Sequence, residues 1–173
     1  KEIDEILSKS FHSYQKYGKN FLKIENAISH NAFHNHKRKL EKMGYVKNNH
    51  LTEKGEFSSN IYSDEILVGE IFATEFYKQM NEYQMLMIIA CLCYEARERT
   101  EFYKKYPSHF VDQLKKFLWR DDFLRREKRF NEIDDLTAIV HPSYHGRDLF
   151  KILESTNLLE GDVIRFLRQV IEG

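Results

Sequence analysis

The chain has 173 residues, 42% of them apolar and 31% charged, with 2 prolines and 7 glycines. That is the length of one ordinary domain or two small ones, with enough apolar sequence for a core and too few chain breakers for a β-sandwich or barrel. Its 27 basic and 27 acidic side chains cancel, which excludes a net field drawing the whole chain to a polyanion. The balance hides blocks. Residues 1–59 carry 11 basic and 7 acidic side chains, and residues 60–102 carry 3 and 8. Residues 103–130 carry 9 and 4, and residues 131–173 carry 4 and 8, so the 103–130 block is the candidate polyanion surface.

In chain order, Ile3, Ile6, Leu7, Phe11 and Tyr14 recur at helical spacing and predict an amphipathic helix, ended by Gly18 and Asn20. A short helix is expected from Phe21 to Ile28, with Ser29-His30-Asn31 as a turn capping a third helix from Ala32 to Met43. That third helix would face Phe33, Leu40 and Met43 inward and Lys37, Arg38, Lys39 and Lys42 outward. Gly44 stops it, Tyr45-Val46 starts a strand, Asn48-Asn49 turns the chain, and Leu51 to Gly55 leads into another helix. Three helices followed by a strand pair outline a winged helix.

Ser63 before Asp64-Glu65 is a candidate helix N-cap, with a stripe of Ile66, Ile71, Phe72, Phe76 and Tyr77 running to Met80. Asn81 caps the next helix, which holds the longest apolar run, the ten residues from Met85 to Tyr94. Ten residues are about half of a membrane span, so a helix apolar on every side is expected at the centre of a bundle, most buried over 82–98. Cys91 and Cys93, two apart on that helix, cannot bridge each other and suit a reducing, cytoplasmic setting as small buried hydrophobes. Pro107 is expected to open a long helix with Phe110, Leu114, Phe117, Leu118, Phe123 and Leu124 inward and a basic outer face reaching Arg129. His141-Pro142 and Gly146 mark a loop, and two short helices close the chain, the last with Val163, Ile164, Leu167 and Ile171 inward. No charged-then-apolar leader opens the sequence, and a first residue of Lys1 rather than Met is what a piece of a longer polypeptide would have.

In order, these pieces resemble the C-terminal region of the superkiller-type DExH-box RNA helicases, the exosome-associated and antiviral-helicase group. Ile6-Leu7-Ser8-Lys9-Ser10-Phe11 resembles the helix leaving the second motor domain. Leu40-x-x-Met43-Gly44-Tyr45, Leu51-Thr52-x-Lys54-Gly55 and Ser63-Asp64-Glu65-Ile66-Leu67 resemble the winged helix running into the terminal bundle. The apolar helix ending at Tyr94-Glu95 and the segment Glu160-Gly161-Asp162-Val163-Ile164-Arg165 resemble the family's aromatic-Glu pair and its near-terminal motif. The resemblance implies a mainly α fold, with a winged helix over residues 1–62 and a ratchet-like helical bundle over 63–173. It implies a non-catalytic part that braces the motor domains of the same polypeptide and contacts single-stranded RNA, as a monomer.

No Walker loop is present, since Gly18-Lys19 is followed by Asn20, and neither Asp4-Glu5-Ile6-Leu7 nor Asp64-Glu65-Ile66-Leu67 completes a DExH box. ATP and Mg would belong to motor domains absent from this sequence, and no cofactor is expected within it. The family's Trp-x-x-Gly tract is replaced by His141-Pro142-Ser143-Tyr144-His145-Gly146. The resemblance points to Glu95 and Arg165 as side chains reaching RNA bases, a carboxylate accepting base N–H donors and a guanidinium stacking or forking. Arg97 and Arg168 lie beside them in sequence, and Lys115, Lys116 and Arg120 could track phosphates. The plain alternatives are a helix-end carboxylate, a surface ion pair and a solvated helix face. His30, His34 and His36 lack a following Glu or a nearby cysteine, so no metal set is expected. The rival reading is a stand-alone winged-helix DNA-binding regulator whose helical part dimerises.

Overall fold

The computed structural model describes residues 21–95 and 99–172, with side chains from residue 31 onward. The expected helix over Ile3–Tyr14 lies outside the described residues. Among the described residues the chain is mainly α, with eight α-helices and one two-stranded sheet. It divides into two compact units, one up to Asn60 and one from Ile61.

In the first unit, α1 runs unbroken over Phe21–Lys42. The expected turn at Ser29-His30-Asn31 does not form, because those residues cost only tenths of a kcal/mol each in a helix interior and no Gly or Pro falls in the segment. Phe33, expected inward, is 65% exposed. Gly44 ends the helix as expected, at φ +79°, with Tyr45 N–H bonded to Leu40 C=O at 2.9 Å. Strands β1 (Val46–Lys47) and β2 (His50–Leu51) pair antiparallel around Asn48-Asn49, both at positive φ. Two such residues give the primed turn that matches strand twist. Thr52 caps α2 (Glu53–Ser59), its hydroxyl accepting from Gly55 N–H and donating to Gly44 C=O. Gly55 passes so close to Tyr45 that an added Cβ would sit 2.2 Å from the Tyr45 carbonyl oxygen.

The second unit is built on helix α4, Glu82–Cys93. Asn81 opens it in a capping box with Gln84: the Asn81 side chain accepts from Gln84 N–H at 2.8 Å, and Asn81 N–H donates to Gln84 Oε1 at 3.1 Å. Met87, Ile88, Ala90 and Cys91 are buried, and burial holds the Cys91 thiol far above its ordinary pKa. The helix stops at Cys93, short of the expected 98, where the Tyr94 backbone turns extended.

Around α4 pack α3 (Glu65–Ala73), α5 (His109–Leu118), α6 (Ile133–Tyr144), α7 (Leu149–Leu153) and α8 (Glu160–Glu172). Four expectations change here. The stripe to Met80 is interrupted after Ala73, and a 3-10 turn covers Phe76–Gln79, with the Phe76 ring stacked on Phe117 at 3.8 Å. The long basic helix ends at Leu118, because Asp121 takes the Phe123 and Leu124 backbone N–H groups, each at 2.8 Å, and starts a new turn. His141-Pro142 lies inside α6, not in a loop: Pro142 falls in its last turn, and the buried Leu136, Ile139 and Val140 hold the helix together. On α8 the buried stripe is Val163, Phe166 and Val170, whereas Ile164 and Ile171 face outward.

Asp64, at the N-cap position of α3, makes no side-chain cap. Its carboxylate instead takes a fork from Arg129, Nη2 to Oδ1 at 2.6 Å and Nη1 to Oδ2 at 3.0 Å. The same guanidinium donates to Glu127 and to the Leu92 carbonyl. The Arg129 hydrogen bonds hold the Asp64 carboxyl below its ordinary pKa of 3.8, against an opposing desolvation.

Two outcomes follow from these contacts. Arg129→Met should cost about 2 kcal/mol at pH 7, since a fork between half-buried charges is lost. Because the folded Asp64 pKa is depressed, that stability is present above the unfolded value and is lost as pH falls through the folded one. Urea unfolding curves of the two proteins should therefore differ at neutral pH and converge in acid; equal stability at pH 7 would deny the fork any structural weight. Gly55→Ala should destabilise the first unit by about 1–3 kcal/mol through overpacking against the Tyr45 backbone, read as a lower Tm.

Candidate nucleic-acid interface

Where α4 ends, the Tyr94 ring fits between Phe102 and Phe166, with centroids 6.1 Å and 5.8 Å away. This aromatic contact sets the point at which the chain leaves the buried helix. Residue Glu95 follows immediately and is exposed. The next described residues, from Arg99, are laced to residues 155–157. Asn157 Nδ2 donates to Arg99 C=O at 2.8 Å, Glu101 N–H donates to Asn157 Oδ1 at 2.9 Å, and Tyr103 N–H donates to Ser155 C=O at 2.8 Å.

On the facing helix, Asp162, Arg165 and Gln169 form a row at spacings of three and four along α8. Arg165 is 60% exposed and lies 3.5 Å from Asp162, one turn back. Val163 and Phe166, buried on either side of it, anchor its backbone in the core.

Glu95 and Arg165, seventy positions apart, thereby line one open cleft of about 250 Å³, together with Cys93, Tyr94, Asp162 and Gln169. Glu95 has no ion-pair or hydrogen-bond partner among the described residues. Cys93 donates its thiol to the Gln169 carbonyl at 3.6 Å, and burial raises its pKa, so it forms a neutral wall. Such a cleft offers an acceptor and a forked donor beside an aromatic wall, the set that reads the polar edge of an unpaired base.

The other sequence candidates scatter. Arg97 lies outside the described residues. Arg168, 72% exposed, pairs with Glu172 at 3.6 Å. Lys115 turns to Asp134 at 2.7 Å, while Lys116 and Arg120 border the Phe76–Phe117 stack, so the three do not form one free basic row. Within the same block Arg125 pairs with Asp122 and Arg129 with Asp64. Among the described residues no group of three His, Cys, Asp or Glu comes together to hold a metal, and no helix is long and apolar enough to cross a membrane. Asp162 and Gln169 were not singled out in the sequence, although their spacing to Arg165 marks one polar row.

Because both side chains emerge into solvent from a packed backbone, Glu95→Ala and Arg165→Ala should each change the unfolding free energy by less than about 0.5 kcal/mol. A drop in Tm comparable to that of a core substitution would show that the pair serves the fold.

No curated protein matches the chain. The DSHCT (NUC185) domain matches residues 48–173, which include all of the second unit and both walls of the cleft. Domains of this family stand at the C-terminus of Ski2-like and other DExH-box RNA helicases. The chain therefore belongs to the DSHCT (NUC185) domain family, a C-terminal region of DExH-box RNA helicases.

Proposed function

We propose that this chain is the non-catalytic C-terminal part of a superkiller-type DExH-box RNA helicase, acting in the cytoplasm as a monomer. In this reading the motor domains of the same polypeptide bind ATP and Mg and supply the force. The first unit, read as a winged helix, braces them. The second unit grips the single strand as it passes and limits backsliding.

The observation that carries this reading is the convergence of Glu95 and Arg165 on one open cleft. Neither side chain is spent on the core: one is unpaired among the described residues, and the other holds only a partly exposed carboxylate one turn away. A polar group on a backbone fixed by packing can meet a moving strand repeatedly in the same geometry. The family match supports a helicase setting for that cleft.

The test uses the intact helicase. Each base contact of good geometry is worth about 1–3 kcal/mol, so losing one should weaken single-strand grip roughly 5- to 150-fold. Glu95→Ala and Arg165→Ala should lower the strand separated per ATP hydrolysed and leave RNA-free ATP hydrolysis unchanged. Unaltered coupling in both variants would contradict the grip, and a dimer with preference for a duplex site would favour a DNA regulator instead.

A further inference from the structure

A second, larger cleft of about 700 Å³ opens between residues 104–106, the C-terminal end of α6 and helix α7. Its floor is an array of rings. Tyr106 stacks on His141 with centroids 4.6 Å apart and planes within 15°, and His141 stands edge-on to the buried Tyr83 at 5.9 Å. Residue Tyr106 is fixed from behind, because its backbone N–H donates to Thr137 Oγ1 at 2.9 Å on α6. The Lys104 ammonium lies 5.2 Å from the Tyr106 ring centre. Burial and the neighbouring His145 hold the His141 pKa below its ordinary value, so near pH 7 the ring is neutral and suited to stacking.

The rim is cationic in an uneven way. Lys151 is already paired with Glu154 at 2.8 Å, and Asp148 is used by the Lys151 backbone N–H at 3.0 Å. Lys104 and Arg147 have no carboxylate partner among the described residues. Two unspent cations beside a pinned aromatic stack suit a ligand that carries both phosphates and flat bases. An acidic peptide would use the cations and leave the stack without a role.

The two clefts are neighbours. The ring-lined one ends at Ser155, and the Glu95–Arg165 one begins at Leu158. Three extended residues span at most about 10 Å, and here they are fastened to residues 101–103 by the Phe102–Thr156 bridge. We infer that the ring-lined cleft is a second contact for the single-stranded RNA that passes Glu95 and Arg165, with phosphates on Lys104 and Arg147 and a base against the Tyr106–His141 stack. The inference rests on the proposed strand contact at Glu95 and Arg165.

The experiment measures binding of the intact helicase to oligouridylates of increasing length. In the unaltered protein, affinity should rise with length until a strand reaches both clefts. The double variant Lys104→Ala/Arg147→Ala should lose that last increment and flatten the salt dependence by about 0.7 per lost phosphate contact, while binding of the shortest strands is kept. Tyr106→Leu should weaken only the longer strands, roughly tenfold, and Tyr106→Phe should restore them because the stacking face is retained. An unchanged increment and slope in the double variant overturn the inference, whatever Glu95→Ala and Arg165→Ala do. Loss of the increment, with those two variants weakening every length, supports both contacts. Loss of the increment with those two variants without effect at any length overturns the shared strand path and leaves the ring-lined cleft as an RNA site by itself.

Discussion

Helix α4 is apolar on every side, and the second unit is organised by the need to keep it from water. Met87 and Cys91 have no exposed surface, and α8, α6 and the turn at Lys128–Glu132 close over them. Truncating a fully buried side chain of this kind typically costs about 2–5 kcal/mol, a large part of the stability of a small domain. The Tyr83 hydroxyl is buried in this core without a hydrogen-bond partner among the described residues, whereas two other polar groups that enter it are paired. Gln84, almost fully buried, completes the capping box and donates its side-chain N–H to the Phe110 carbonyl at 2.9 Å, which ties α5 to the start of α4. Arg129 reaches the Leu92 carbonyl near the other end and brings Asp64 with it.

The candidate interface depends on where this helix stops. Once the Tyr94 ring is held between Phe102 and Phe166, the chain leaves the core at one place, and Glu95 is delivered to the mouth of the cleft. Residues 155–157 hold the returning segment 99–103, so the ridge between the two clefts is fastened by backbone and side-chain bonds. Arg165 arrives from α8, whose opposite face is committed to the core through Val163, Phe166 and Val170. The cleft is thus a by-product of packing, and its polar residues are the ones packing leaves over.

Local chemistry made part of this legible in the sequence. The Asn81 cap, the helix stop at Gly44 and the turn at Asn48-Asn49 each follow from one or two residues and formed as expected. The buried helix followed from an apolar run with no polar face. What misled was tertiary. Ser63 looks like the cap of α3, but Asp64 takes that position and Arg129, sixty-five positions away, claims its carboxylate. Pro142 looks like a breaker until the packing of α6 absorbs it, and the break after Leu118 rests on Asp121, an ordinary acidic residue in a basic run. Glu95 and Arg165 were visible only through motif resemblance, because nothing local says that positions seventy apart meet. The Tyr106–His141 stack had no signal at all: a lone Tyr and a His beside a Pro suggest a loop.

The central claim is that an unpaired strand lies in the cleft where Tyr94 and Phe166 meet, and a zero-distance crosslink tests it most directly. Thiouridine-bearing single-stranded RNA, bound to the intact helicase and irradiated, attaches to side chains that touch its bases. Mapped by mass spectrometry, the attached nucleotides should fall on the peptides carrying Cys93 to Glu95 and Asp162 to Gln169, which line the cleft. Attachment confined to the motor domains, with neither of those peptides modified under conditions of tight binding, would contradict the account.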